Sequence, residues 1–375
     1  MEHIVLHKNS EYHSAFPHII RLQNNELVCI FRQAILRKGY VGAEAHDSPL
    51  AHYHLDPESR IALVRSTDGG ISWDPGSLVI VDESDGNQDL NMGMISQLSS
   101  GELLVNNHNW YTGLSENQGA ELAGSRSHLP RPETSPYSRK WFGEIYYDSA
   151  YLLRSKDDGR TWSKREPFSI GPYKFFTHTG KDGAICMPDD SLLLPLSGRT
   201  NQDQPGPMFV VRSYDNGFTW NNPSMVAYDP DGKISFGEPS LLRQSTGRLL
   251  VMMRTNDYLY QAYSTDDGWT WQDLKRSPIW GFPAHCIELQ SGRILCVYGY
   301  RREPYGVRAT FSNDGGETWD INHEVIIRND GQHRDLGYPA SIQLDDGNIL
   351  TIYYFHDEDG IRYIGGTIWS EEEAG

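Results

Sequence analysis

The sequence predicts an all-β chain folded as six similar four-stranded units that close into a ring. Five copies of one phrase, Ser-x-Asp-x-Gly-x-Thr/Ser-Trp, mark the repetition at residues 66–73, 155–162, 213–220, 264–271 and 312–319. Their first serines lie 89, 58, 51 and 48 residues apart, so the last three repeats have nearly one length and the first interval carries an insertion. Self-similarity at this period is typical of stacked supersecondary units.

Each copy of the phrase has the chemistry of a tight hairpin turn. Asp and Ser side chains bond nearby backbone N–H groups, Gly supplies a positive φ, and the Trp can pack between neighbouring units. An apolar run precedes each copy, as in residues 61–65 and 150–154. The phrase therefore predicts a strand, a turn and a second strand.

A second hairpin lies upstream of every copy, and a sixth follows the last one. The six hairpins cover residues 19–31, 94–105, 184–196, 240–253, 284–297 and 340–353. They predict six units, of which the last lacks the turn phrase. The N-terminal strand at residues 4–7 can complete that unit beside residues 361–369 and so remove exposed sheet edges. We expect residues 1–375 to form one domain.

Composition narrows the range of partners and locations. The formal charge of −17 argues against nucleic acid and anionic membranes as partners. The chain has no run of 18 apolar residues, and its start lacks the features of a secretory signal. We expect a cytoplasmic protein, or a secreted one whose signal was removed. Four dispersed cysteines predict buried free thiols.

The turn phrase resembles the Asp box of the sialidase (neuraminidase) superfamily, and the pattern covers nearly the whole chain. This resemblance implies a six-bladed β-propeller with four-stranded antiparallel blades. It further implies a retaining glycoside hydrolase, without a cofactor or metal, that removes an acidic sugar from a glycan terminus. A fold alone does not establish an activity. A polysaccharide lyase, another propeller glycosidase and a non-catalytic glycan-binding propeller remain alternatives.

The first strand of each propeller blade lines the central channel, where ligands usually bind. Aligning the six hairpins places these residues at one level of the channel: Phe16, Met92, Lys181, Glu238, Phe282 and Tyr338. Glu238 and Tyr338 are thus expected together although they lie 100 residues apart. A phenol with an ordinary pKa near 10 needs a carboxylate to take its proton as it attacks. By resemblance, Tyr338 is the nucleophile and Glu238 its base.

Arginines suit a substrate carboxylate because the guanidinium group forms bidentate bonds. The resemblance implies three of them, and Arg254, at the end of its hairpin, matches one. Arg302 lies ten residues before its Asp box, as Arg254 does, so it is predicted as the second, with Arg301 as fallback. Ala15 stands where the family usually has the third, which opens the alternative of a different acidic or neutral sugar. Arg32 is the predicted replacement.

The first loop and two further residues complete the candidate site. An acid/base carboxylate is expected in the loop at residues 33–59, where Asp56 and Asp47 are the choices. His108 and Lys181, beside the second and third hairpins, are predicted to bind substrate. In the lyase alternative, a histidine would abstract a proton next to a uronate carboxylate, with Tyr338 as the acid.

Overall fold

The computed structural model describes residues 1–36, 56–86, 88–114, 144–173, 175–178, 180–199, 206–255 and 257–374. Their strands form six antiparallel sheets, which are the blades of a six-bladed β-propeller. Helical structure in these ranges is limited to two short 3-10 helices, Ile321–His323 and Glu371–Ala374. No helix in the described ranges has the length and apolar character needed to cross a bilayer. The predicted fold class is confirmed.

The first three blades follow one another along the chain, and the inner position of the second and third is split into two short strands. Blade 1 comprises β2 (Tyr12–Arg21), β3 (Leu27–Ile35), β4 (Arg60–Ser66) and β5 (Asp74–Glu83). Blade 2 comprises β6 (Gln88–Leu90) and β7 (Met94–Gln97), then β8 (Leu103–Leu114), β9 (Glu144–Ser155) and β10 (Glu166–Phe168). Blade 3 comprises β11 (Phe175–His178) and β12 (Ile185–Cys186), then β13 (Leu192–Arg199), β14 (Met208–Ser213) and β15 (Asn221–Ala227).

The last three blades are regular, and the chain's first strand completes the sixth. Blade 4 comprises β16 (Gly237–Arg243), β17 (Leu249–Arg254), β18 (Tyr258–Ser264) and β19 (Gln272–Trp280). Blade 5 comprises β20 (Ala284–Glu288), β21 (Ile294–Tyr300), β22 (Tyr305–Ser312) and β23 (Val325–Gly331). Blade 6 comprises β24 (Gly337–Gln343), β25 (Ile349–His356), β26 (Arg362–Trp369) and, outermost, β1 (Glu2–His7).

The predicted closure of the ring by the N-terminal strand is confirmed. Strand β1 pairs antiparallel with β26, with His3 opposite Thr367 and Ile4 opposite Gly366. Leu6 is buried in the apolar cluster between blades 6 and 1. Strands β1 and β26 thus belong to one sheet, and β1 covers the edge that β26 would otherwise expose.

The apolar core is divided into six clusters, each between two neighbouring blades. Alternation along each strand produces this arrangement because successive side chains point to opposite faces. Leu249 faces the cluster shared with blade 3, whereas Leu250 faces the cluster shared with blade 5. Every blade therefore buries both of its faces.

The Asp boxes form the predicted turns and also link the blades. In the fourth copy, Ser264 Oγ accepts the Gly268 N–H at 2.8 Å, and Asp266 accepts the Thr270 N–H at 2.9 Å. The residue just before each of the first four boxes donates to a backbone carbonyl in the next box. Three of these bonds measure 3.2, 2.9 and 2.6 Å and join Arg65 to Asp158, Arg154 to Asn216 and Tyr263 to Gly316.

Candidate active site

Glu238 and Tyr338 occupy the same unusual backbone position in blades 4 and 6. Each follows the first residue of its inner strand, where a bulge shifts the register with the neighbouring strand. Their φ angles are +41° and +47°, and Phe16 in blade 1 has φ +57° at the equivalent bulge. A non-glycine residue in this region costs about 1–3 kcal/mol, and such residues concentrate at functional sites. The proline that follows each one lacks the N–H that a regular ladder would use.

The bulges bring Glu238, Tyr338 and Arg254 into one hydrogen-bonded group, which we call the Tyr–Glu–Arg triad. The Tyr338 hydroxyl donates to Glu238 Oε1 in a short bond. Arg254 donates from Nη1 to Glu238 Oε2 at 2.6 Å and to the Tyr338 hydroxyl at 3.1 Å. Glu238 and Tyr338 are each 4% exposed, while the Arg254 side chain is 27% exposed. The predicted proximity of these three side chains is present.

The electrostatics of the triad keep the phenol protonated. Burial raises the pKa of Tyr338, and the Glu238 carboxylate raises it further, while Arg254 and Arg301 act in the opposite direction. Burial acts to lower the pKa of Arg254, but Glu238 and Tyr338 raise it overall. A neutral phenol therefore lies between a permanent cation and a carboxylate that can accept its proton. This is the arrangement that an activated hydroxyl nucleophile requires.

Of the adjacent arginines in blade 5, Arg301 lies beside the triad. Its guanidinium carbon is 5.5 Å from the centre of the Tyr338 ring. It donates to the Leu336 carbonyl at 3.0 and 3.2 Å and to the Tyr354 hydroxyl at 3.3 Å. Arg302 is exposed and stacks on Trp280 at 3.7 Å, so the fallback residue Arg301, and not Arg302, is the one beside Tyr338. Both arginines follow the end of β21, where the regular alternation of a strand no longer determines side-chain direction, so the sequence did not show which one lies beside Tyr338.

Arg32 does not join Arg254 and Arg301, so the predicted cluster of three arginines is absent. Its side chain has no exposed surface and forms a salt bridge with Asp89 of blade 2. Its Nε donates to the Leu90 carbonyl at 2.8 Å. A buried guanidinium needs a paired carboxylate, and Asp89 supplies one across the blade interface.

Asp89 is a residue that the sequence reasoning missed. It also accepts the backbone N–H of Asp56 at 2.9 Å. Burial raises the pKa of Asp89, against the opposing effect of Arg32. The signal was an acidic residue just before the inner hairpin of blade 2. Its significance depended on an arginine from another blade.

The remaining predicted site residues differ in burial and in hydrogen bonding. Asp56 is fully buried, and its Oδ1 accepts the Glu58 N–H at 2.8 Å as in a turn. Asp47 lies outside the described residues. His108 is 1% exposed and Lys181 has no exposed surface, so neither side chain offers a surface to a substrate in this structure, and their assignment to substrate contacts stays a prediction. Both side chains are enclosed by packing of neighbouring strands, which hairpin position alone does not reveal.

A second polar group lies inside the channel, where His18, Asp182 and His285 have ligand atoms within 4.8 Å of one another. Both imidazoles accept a backbone N–H at Nδ1, from Ile95 at 3.3 Å and from Ser341 at 3.2 Å. A neutral imidazole that accepts at Nδ1 carries its proton on Nε2. Metal-bound histidines instead donate their second ring N–H. These side chains therefore fit interblade hydrogen bonds better than a metal ion.

The fold, the Asp boxes and the channel-mouth triad define a propeller of the sialidase-like superfamily. A family model described as a BNR repeat-like domain matches residues 136–351, and the chain belongs to that family. It is 23% identical over 319 residues to a sialidase of Bacteroides fragilis, which covers 80% of this chain and 54% of that protein. The chain thus spans about half the length of this curated relative.

Solved structures show the same architecture. A crystal structure of a protein of unknown function from Dyadobacter fermentans superposes with a TM-score of 0.83 at 27% identity, covering 99% of this chain and 98% of the other. A Hadza microbial sialidase superposes with a TM-score of 0.65 at 18% identity, covering 96% of this chain and 66% of the other. At that identity the second match supports the fold alone.

Proposed function

We propose that the protein is a retaining exo-glycosidase of sialidase type that removes an acidic sugar from a glycan terminus. The observation that carries this proposal is the Tyr–Glu–Arg triad. Two strained bulges from blades 4 and 6 aim a phenol and a carboxylate at each other. A structural tyrosine needs no such arrangement, whereas a nucleophile and its base do.

The reaction would proceed in two steps with a covalent intermediate. The Tyr338 oxygen attacks the anomeric carbon while Glu238 takes the phenolic proton, and the bond to the leaving oxygen breaks. A carboxylic acid donates a proton to that leaving oxygen. Water then attacks the anomeric carbon while the deprotonated acid takes a proton from it, the bond to the Tyr338 oxygen breaks, and that oxygen recovers its proton from Glu238. Two inversions at the same carbon give net retention.

The acid in this scheme is assigned to one of two carboxyl groups in the loop at residues 33–59. Asp56 and Asp47 are the proposed positions, as the sequence suggested. Asp89 supports Asp56 through its backbone N–H bond. Because Asp56 is buried in the described structure, acid catalysis from it requires that its carboxyl become exposed when a glycan binds.

The arginines set the class of sugar. Arg254 and Arg301 flank Tyr338 on a chain of net charge −17, so a local positive site is maintained against the overall charge. Phe282 lies under both guanidinium groups, at 4.6 and 5.7 Å from its ring centre. Two arginines can hold one carboxylate, but the third position carries Ala15, which is buried. We therefore expect slow release of sialic acid from ordinary sialosides and preference for another acidic sugar.

A panel of fluorogenic glycosides tests the proposal. The panel contains a sialoside, uronides and neutral pentofuranosides, and product stereochemistry is read by proton NMR in the first minutes. We expect turnover on an acidic glycoside with retention. A 2-fluoro or 3-fluoro analogue should label the peptide that contains Tyr338, as seen by mass spectrometry. Inversion, or labelling of another residue, would overturn the assignment of the nucleophile.

The second candidate function is hydrolysis of a glycoside whose sugar is neutral. The observation that favours it is the commitment of Arg32 to Asp89, which leaves the anion clamp incomplete. Turnover of pentofuranosides only would select it. Formation of an unsaturated product that absorbs in the ultraviolet would instead identify a lyase. Glycan binding without turnover would identify a binding protein.

A further inference from the structure

Two residues of blade 3, Lys181 and Asp182, lie against the strand that presents Glu238. The Lys181 N–H donates to the Pro239 carbonyl at 2.8 Å. The Asp182 carboxylate accepts the Leu241 N–H at 2.9 Å through Oδ2. These two bonds join blade 3 to Pro239 within the bulge and to Leu241 just after it. The bulge interrupts the hydrogen-bonded register within blade 4, so blade 3 supplies the contacts that hold it.

The Lys181 side chain adds a charge to this support. It is completely buried, and its Nζ has no hydrogen-bond partner within the described residues. Its charge interacts with the carboxylates of Asp182 and Glu238 and with the Cys29 thiol. Burial lowers the pKa of Lys181 to about 8, and the carboxylates oppose that shift. An ammonium group is costly to bury, so nearby carboxylates are the reason it can remain charged.

The groups that face this pair are few. The charged or titratable groups around Lys181 are Asp182, Glu238, Cys29, His18 and His285. Burial lowers the pKa of both histidines, and the positive charge of Lys181 lowers it further. Burial raises the pKa of Asp182 to about 6, with Lys181 opposing. On its other side Glu238 meets Arg254 and Tyr338. Glu238 thus has Arg254 and Tyr338 as hydrogen-bond partners and the buried Lys181 as a second nearby cation.

We propose that Lys181 and Asp182 form a positioning unit for Glu238, in which backbone bonds fix the bulge and the buried ammonium holds the carboxylate in its ionised form. This inference rests on the proposed role of Glu238 as a base. Arg254 is partly exposed and available to a substrate carboxylate. Lys181 therefore maintains the positive field behind Glu238 when Arg254 turns to the substrate.

Five variants, one of them a control, separate the effect of the charge from that of the hydrogen bond. Lys181→Met removes the charge and keeps an unbranched stem. Asp182→Asn keeps an oxygen that can accept the Leu241 N–H, whereas Asp182→Ala removes it. His18→Leu is the control for loss of an interblade bond without loss of a charge, because it removes the bond to Ile95 and burial keeps the His18 imidazole neutral. The double variant Lys181→Met/Asp182→Asn avoids a lone buried charge if the single change prevents folding.

Two readouts are measured for each variant. The first is carboxyl 13C NMR of selectively labelled protein, in which Glu238 is identified by its loss in Glu238→Gln. The second is the pH profile of kcat/KM on the glycoside found to be a substrate. Removing the nearby cation should move protonation of Glu238 and the acidic limb upward by about half a pH unit or more. Asp182→Ala should lower kcat about tenfold with KM little changed, and Asp182→Asn should restore most of it.

The outcomes are distinct. If Glu238 titrates identically in Lys181→Met and the unmodified protein, or if Asp182→Ala behaves like His18→Leu, the inference is wrong. If the Glu238 titration moves as expected but no glycoside is turned over, the proposed function fails while the electrostatic coupling stands.

Discussion

Replacing Tyr338 with phenylalanine removes one oxygen atom from the centre of the candidate site. That oxygen donates to Glu238 and accepts from Arg254 at 3.1 Å. Glu238 and Arg254 remain paired at 2.6 Å without it, so neither charge is left alone. The expected loss is two hydrogen bonds to charged groups, about 2–4 kcal/mol of unfolding free energy.

The effect on catalysis should be far larger than the effect on stability. Without the phenol no glycosyl–tyrosine bond can form, and we expect kcat to fall at least about 10²-fold. The melting temperature should fall by only about 2–4 °C. Stability is measured by thermal denaturation, and kcat with the fluorogenic glycoside identified in the substrate panel.

Tyr353, in strand β25 of the same blade as Tyr338, provides a matched control. The Tyr353 hydroxyl is also buried and is hydrogen bonded to Thr367 at 2.7 Å and to Arg328 at 3.3 Å. Tyr353→Phe should cost similar stability and leave kcat within about threefold of the starting value. Should Tyr338→Phe retain more than a tenth of kcat, or should both variants lose activity alike, Tyr338 is not the nucleophile.

Three further predictions follow from the described contacts. Arg301→Met should raise KM for an acidic glycoside at least about tenfold, whereas Arg302→Met should change it less than about threefold, since only Arg301 lies beside Tyr338; equal effects would contradict the assignment. Burial lowers the pKa of His18 to about 3. As the pH falls below about 6.5, His18 therefore binds a proton in the unfolded chain but stays neutral in the folded chain. The free energy of unfolding should then fall by up to about 1.4 kcal/mol per pH unit. In urea denaturation at pH 7 and pH 5, the unfolding free energy should decrease less in His18→Leu than in the unmodified protein. Equal decreases in the two proteins would contradict this role of His18. Deleting residues 1–8 should expose β26 and cause aggregation on size-exclusion chromatography; a stable monomer would show that β1 is dispensable.

The repetition of the Asp box made the fold predictable from the sequence. The turn depends on local bonds, such as that between Ser264 and Gly268, which operate within a few residues. Repeats in register then determine blade number. Closure by β1 followed because a sixth unit lacked a strand and the N-terminus offered one.

Alignment of the repeats also predicted part of the candidate site. Equivalent positions in a ring lie at one level, so alignment of the hairpins was sufficient to bring Glu238 and Tyr338 together. Arg254 followed because it ends the hairpin that begins at Glu238. None of these inferences required knowledge of a side-chain direction.

Only the tertiary structure decided where the other charged side chains point. Arg32 is held by Asp89, a partner that belongs to another blade and was not identified by any repeat. Arg301 and Arg302 are consecutive residues after the end of β21, and only the folded structure shows that Arg301 is the one beside Tyr338. Lys181 shares the ring position of Glu238 but is enclosed between blades. Repeats determine backbone positions, whereas the direction and pairing of a charge depend on which groups from distant parts of the chain can desolvate and neutralise it.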